Sequence, residues 1–212
     1  LTGITVSFNS APLEWWLSLP IIVVYPLLFG WVSYQTATKL AEHKRRLQVM
    51  STRDGMTGVY NRRHWETMLR NEFDNCRRHN RDATLLIIDI DHFKSINDTW
   101  GHDVGDEAIV ALTRQLQITL RGSDVIGRFG GDEFAVIMSG TPAESAITAM
   151  LRVHEGLNTL RLPNTPQVTL RISVGVAPLN PQMSHYREWL KSADLALYKA
   201  KKAGRNRTEV AA

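Results

Sequence analysis

The sequence predicts an α+β domain with a central, mainly antiparallel sheet flanked by helices, preceded by one transmembrane helix. Three observations lead there. From residue 54 onward, short apolar runs rich in strand formers alternate with stretches of helical period. Two strand-like runs are joined by Gly130-Gly131-Asp132, a tight-hairpin signal. A charge-free stretch of 24 residues, Trp15–Thr38, lies ahead of them, and about 20 apolar residues suffice to cross a bilayer as a helix.

Taken in order, residues 1–38 read as a transmembrane segment, the end of a larger membrane domain. Trp15, Trp16, Trp31 and Tyr34 sit near its two ends, where amphipathic rings favour the interface. A buried core helix is the alternative. All 25 Lys and Arg residues follow Thr38, and the run Lys39, His43, Lys44, Arg45 and Arg46 comes at once. Basic residues beside a membrane segment tend to stay cytoplasmic. The chain that follows the segment is therefore expected to be cytoplasmic. Because the chain opens on Leu1, a fragment of a longer membrane protein is expected. Residues 39–53 read as a linker helix. Leu40, His43, Leu47 and Met50 alternate spacings of three and four, which fits a parallel dimer stalk or a plain amphipathic connector.

The remaining residues, 54–212, form the expected soluble domain. Asn61–Arg78 predicts a helix with Trp65, Met68, Leu69 and Phe73 on one face. Ala83–Ile90 predicts a central buried strand. Asp103–Leu120 is helical, with Val104, Ala108, Leu112 and Leu116 at spacings of four. Asp124–Phe129 and Glu133–Ser139 are the hairpin strands. Glu144–Leu160 is a helix, Gln167–Ala177 a strand and Tyr186–Ala203 a final helix. With 212 residues, 43% apolar and 22% charged, the chain can bury one core, which excludes wholesale disorder, fibrous repeats and disulfide-stapled miniproteins. Cys76 is the single cysteine, so no internal disulfide forms and a reducing compartment fits. The net charge of +4 suits an anionic partner such as a nucleotide or lipid headgroups. It is too mild to call for nucleic acid.

Acidic residues gather where the predicted strands end. Asp89 and Asp91 close the central strand, and Asp132 and Glu133 sit at the hairpin tip. If the hairpin pairs beside that strand, Asp89 and Asp132 converge, offering the oxygen donors that Mg²⁺ needs. Two such ions about 3.5–4 Å apart can clamp a phosphoryl transfer. On spacing alone, ordinary polar strand ends and turn residues are equally consistent.

The string Arg128–Phe134, RFGGDEF, resembles the signature of the GGDEF family of diguanylate cyclases. DGMTGVYNRR (Asp54–Arg63), DIDHFKSIND (Asp89–Asp98), GHDVGD (Gly101–Asp106), SVGVA (Ser173–Ala177) and ADLALYKAKKAGRN (Ala193–Asn206) are similar to further family segments, in the expected order. With its apolar N-terminal stretch the chain resembles the AdrA-type, membrane-attached members, cut to their last membrane helix. The resemblance implies a nucleotidyl-cyclase or polymerase-palm-like fold. It also implies an enzyme that condenses two GTP into cyclic di-GMP, releases two pyrophosphates, and works as a homodimer with one GTP per domain. Mg²⁺, with Mn²⁺ as an alternative, is the implied cofactor, two ions per active site. By the same resemblance Asp89, Asp132 and the carbonyl of Ile90 hold metal. Asp132, Glu133 and Lys94 are catalytic. Phe93, Gly130, Gly131, Lys201 and Arg205 contact phosphates or ribose, and Asn97 with Asp106 bind guanine. Lys201 and Arg205, four apart, are expected on one helix face. Arg121 and Asp124, an RxxD pair, together with Arg152, match an inhibitory site for the product. Taken by itself, RxxD is a common surface ion pair. A silent module that binds GTP or cyclic di-GMP as a receptor is the alternative function.

Overall fold

The computed structural model describes residues 19–50, 52–163, 165 and 167–211. The chain divides into two compact units, residues 1–50 and 51–212. In the first, helix α1 runs Leu19–Met50 with Pro26 inside it. The expected membrane crossing is not found: among the described residues no helix is long and apolar enough to cross a membrane. The expected stretch begins at Trp15, outside the described residues. Its distal part carries Ser33, Gln35, Thr36 and Thr38 just ahead of Lys39, which interrupts the apolar run. Thr36 and Thr38 turn their hydroxyls back onto the carbonyls of Val32 and Gln35. The heptad positions His43, Leu47 and Met50 fall where side chains lie outside the described set.

The second unit is built on a six-stranded sheet. Its elements are β1 (Tyr60–Asn61), α2 (Arg62–His79), β2 (Ala83–Ile90), α3 (Phe93–Trp100), α4 (His102–Thr119), β3 (Val125–Gly130), β4 (Glu133–Ser139), α5 (Ala143–Thr159), β5 (Ile172–Pro178), α6 (Tyr186–Lys202) and β6 (Thr208–Val210). The strand order is β1-β3-β4-β2-β5-β6. The three inner pairings are antiparallel and the two at the edges, β1 with β3 and β5 with β6, are parallel. The sheet is therefore mixed, with the expected antiparallel centre.

Period-two alternation along β2 sorts its side chains between two cores. Leu86, Ile88 and Ile90 join Phe134, Val136, Leu112, Leu116, Met150 and Val153 beneath α4 and α5. Leu85 and Ile87 join Trp65, Leu69, Phe73, Trp189 and Leu197 beneath α2 and α6. Both buried indoles are satisfied: Trp65 Nε1 donates to the Val125 carbonyl at 3.1 Å and Trp189 Nε1 to that of Ala177 at 2.8 Å. Helix α6 comes close to β5 because Gly175 has no side chain; a Cβ there would collide with the backbone of Ala193 and Leu197.

Candidate functional site

The site is set by where β2 ends. Its antiparallel register with β4 places Asp89 opposite Glu133. The Ile90 amide donates to the Asp132 carbonyl at 3.4 Å, so the hairpin tip lies beside the end of β2. At that tip Gly130 and Gly131 take φ of 146° and 51°, a conformation disfavoured once a Cβ is present. Arg128 braces the turn from below. Its Nε and Nη2 donate to the Gly131 carbonyl at 3.0 and 2.8 Å, and its Nη1 to Asp54 Oδ1 at 3.1 Å. Asp54 also accepts from the amide and hydroxyl of Thr57 at 3.0 and 2.6 Å. Burial raises the Asp54 pKa, but Thr57 and the Arg128 guanidinium outweigh it and hold the carboxyl below its ordinary value.

Asp89 lies on the α6 side of the sheet, and Lys201 of that helix meets it, Nζ to Oδ2 at 2.7 Å. The Asp89 pKa is nevertheless raised. Burial is the main cause; Lys201 opposes it, and the negative charges of Asp132 and Glu133 add to it. Asp194 on α6 is raised as well, first by burial and then by Glu133, with Arg62 opposing. Carboxylates thus crowd one another here even with a lysine in contact, an arrangement that favours a cation. Asp89, Asp132 and the Ile90 carbonyl offer only oxygen, which fits a hard ion such as Mg²⁺. Such an ion usually takes one or two carboxylates and completes its shell with water and substrate phosphates. Among the described residues no three His, Cys, Asp or Glu side chains form a group able to hold a metal. Asp91, the other strand-end carboxylate, does not join them: it accepts from Ser173 and from the Asn206 amide instead.

Phe93 and Lys94 open α3, a helix where the sequence resembled a loop. Lys94 is exposed in its first turn. Asn97 of α3 and Asp106 of α4 are the expected guanine pair. The two helices meet at Gly105, where a Cβ would collide with the Asn97 carboxamide oxygen and stand 3.2 Å from the Phe93 ring. That oxygen is buried without a hydrogen-bond partner, so the amide has unmet capacity. Asp106 lines a cavity of about 680 Å³ with Asp103, Glu107, Val110, Arg114 and Leu162. Asp89, Asp132 and Lys201 are not part of its wall.

Lys201 and Arg205 do not share a helix face as their spacing predicts. Helix α6 ends at Lys202, and Gly204 turns left-handed with φ 110°. The Arg205 amide then returns to the Ala200 carbonyl at 3.0 Å, the closing bond of a Schellman motif. Arg205 therefore projects from the turn after the helix.

Arg121, Asp124 and Arg152 line one cavity of about 220 Å³, with Thr119, Met138 and Thr148. Asp124 Oδ2 accepts from the Arg121 amide at 2.9 Å, while Oδ1 is buried without a partner. Burial raises the Asp124 pKa against the opposing amide and charge of Arg121. This cavity sits at the start of β3 and the hairpin at its end, roughly 20 Å apart at 3.4 Å per residue. Sequence reasoning assigned no role to Asp54, Arg128, Ser173 or Asn206, and saw in Gly105 only part of a motif. A bridge between segments about 70 residues apart in the chain, such as Asp54 to Arg128, leaves no periodic trace.

The chain matches the family described as diguanylate cyclase, GGDEF domain, over residues 51–207, and it belongs to that family. It is 35% identical over 159 residues to the diguanylate cyclase DosC of Escherichia coli K12, covering 74% of this chain and 34% of DosC. It is 30% identical over 193 residues to the cyclic di-GMP phosphodiesterase NbdA of Pseudomonas aeruginosa, covering 85% of this chain and 25% of that protein. It thus spans about a third or less of these two relatives. Among solved structures, the GGDEF domain of Caulobacter crescentus DgcB in complex with c-di-GMP superposes with a TM-score of 0.72 at 30% identity, over 76% of this chain and 96% of that one. The coiled coil and GGDEF domain of the same protein gives 0.73 at 28% identity, over 87% and 99%.

Proposed function

We propose that this protein is a Mg²⁺-dependent diguanylate cyclase that joins two GTP into cyclic di-GMP and releases two pyrophosphates, with two domains facing each other and one GTP on each. The observation that carries the reading is the β2–β4 register, which sets Asp89 against the hairpin bearing Asp132 and Glu133. Asp89, Asp132 and the Ile90 carbonyl would hold the metal. A bound Mg²⁺ would neutralise phosphate charge and lower the pKa of the attacking 3′-hydroxyl. Lys201 would leave Asp89 for the triphosphate, where Lys94 and Arg205 add positive charge. Gly130 and Gly131 let backbone approach the nucleotide. Asn97 and Asp106 select guanine: a carboxylate accepts from N1–H and the N2 amino group together, a pattern adenine lacks, so ATP would leave it unpaired.

Arg121, Asp124 and Arg152 form a product-binding cavity in this reading. Two arginines grip phosphate or a guanine edge, and the unpartnered Asp124 oxygen is free to accept from a guanine N–H. The second reading, a silent domain that binds cyclic di-GMP through this cavity, draws support from the likeness to a protein named as a phosphodiesterase. The two separate cleanly. Purified protein given GTP and Mg²⁺ forms cyclic di-GMP and pyrophosphate under the first reading. Under the second it forms neither but still binds cyclic di-GMP, and loses that binding with Arg121→Ala.

A further inference from the structure

Asp91 is 5% exposed, and a buried carboxylate is costly unless its oxygens are satisfied. Both are. Oδ1 accepts from the Ser173 hydroxyl at 2.6 Å, and Oδ2 accepts from the Asn206 backbone amide at 2.8 Å. The segment it holds is unusual. Gly204, Arg205 and Asn206 take φ of 110°, 61° and 47° in succession, and left-handed backbone is unfavourable for residues that carry a Cβ. Such a turn persists only where its surroundings over-determine it. Here the Arg205 amide is tied back to the Ala200 carbonyl at 3.0 Å, and the Val174 amide donates to the Arg207 carbonyl at 2.9 Å. Asn206 lies between these ties. Its amide is fixed by Asp91. Asp91 leaves β2 two residues after Asp89, so one short stretch of backbone fixes both the metal carboxylate and the turn that bears Arg205.

We infer that Asp91 is a positioning residue: it holds the strained turn that presents Arg205 to the nucleotide's phosphates, in register with Asp89. This rests on the reading of Arg205 as a phosphate contact given above. The loss on removing Asp91 then passes through Arg205.

The test is a double-mutant cycle on the full chain with Asp91→Asn, Arg205→Ala and both, reading the equilibrium affinity for a GTP analogue carrying an α-phosphorothioate. Arg205→Ala weakens binding by roughly tenfold, the scale of one charge-assisted hydrogen bond. Asp91→Asn weakens it by a comparable factor, and the double variant is no weaker than Arg205→Ala alone. Unchanged affinity in Asp91→Asn, or losses that multiply in the double variant, overturn the proposal. Unchanged affinity in Arg205→Ala instead overturns the phosphate reading itself. Should Asp91→Asn not fold by circular dichroism, Ser173→Ala replaces it, since it removes one of the two donors and spares the charge. A smaller loss that vanishes in the Arg205→Ala background is expected, and a loss that persists there, or no loss, contradicts it.

Discussion

Replacing Lys201 by methionine should tighten binding of a divalent ion in the absence of nucleotide while weakening binding of the nucleotide. The side chains of Lys201 and Asp89 meet at 2.7 Å and are 33% and 11% exposed. The pair lies between a surface ion pair, worth at most about 1 kcal/mol, and a charged hydrogen bond of about 1.5–3 kcal/mol. A cation that takes Asp89 must break it, at a cost of about 1–2 kcal/mol on that scale. Methionine keeps the packing of the stem and removes that competition, so affinity should rise roughly 5- to 30-fold. The assay is Mn²⁺ titration of nucleotide-free protein followed by electron paramagnetic resonance. Lys202→Met is the control, since it removes the same charge from an exposed neighbour. Equal effects in the two variants, or no gain in Lys201→Met, would refute the idea that Lys201 and the metal contend for one carboxylate.

Three further outcomes are expected. Arg121→Ala should relieve inhibition by cyclic di-GMP in a product-titrated turnover assay while sparing the initial rate; an unaltered inhibition curve removes Arg121 from that role. Gly105→Ala should raise KM for GTP several-fold, about 1 kcal/mol for a displaced hydrogen-bonding group, because the new methyl collides with the Asn97 carboxamide; an unchanged KM would separate Asn97 from the substrate. His154 is held below its ordinary pKa of 6.5, mainly by burial, although Asp91 and Asn206 oppose it. Its folded pKa is depressed, so the unfolded chain binds the proton more tightly and stability falls as pH drops below about 6.5. Urea unfolding at pH 7.5 and 5.5 should show that loss, and His154→Gln should flatten it; parallel profiles would assign the pH dependence to other groups.

Much of the sheet was legible because its centre is strongly patterned. Ala83–Ile90 and Glu133–Ser139 are strands with the expected bounds, since each holds an unbroken apolar stretch, Leu85–Ile88 and Phe134–Met138, next to a carboxylate. The edge strands β1 and β6, two and three residues long, are too short to carry a period. Helix α3 has no fully buried residue, so its few apolar positions gave no stripe. The strand expected from Gln167 begins at Ile172, because β2 ends opposite that residue with Ile90. Val168 and Leu170 are buried without joining a ladder, so alternation alone misplaced the strand start. The acidic cluster was legible as a list but not as a geometry. Asp91 looks like Asp89 in sequence and faces Ser173 and Asn206 in the fold. Lys201 and Arg205 look like helix neighbours until Gly204 ends the helix between them.

If the carboxylates gathered by the β2–β4 register turn over GTP, product formation depends on them. The decisive assay incubates the purified chain and its Asp132→Ala variant with GTP and Mg²⁺ at rising protein concentration, with product resolved by chromatography. Cyclic di-GMP and pyrophosphate are expected from the unsubstituted chain, with a rate per protein that climbs with concentration, and none from a folded Asp132→Ala variant. Equal turnover in the two, or a folded and GTP-bound chain that makes no product at any concentration, would rule out catalysis by these carboxylates.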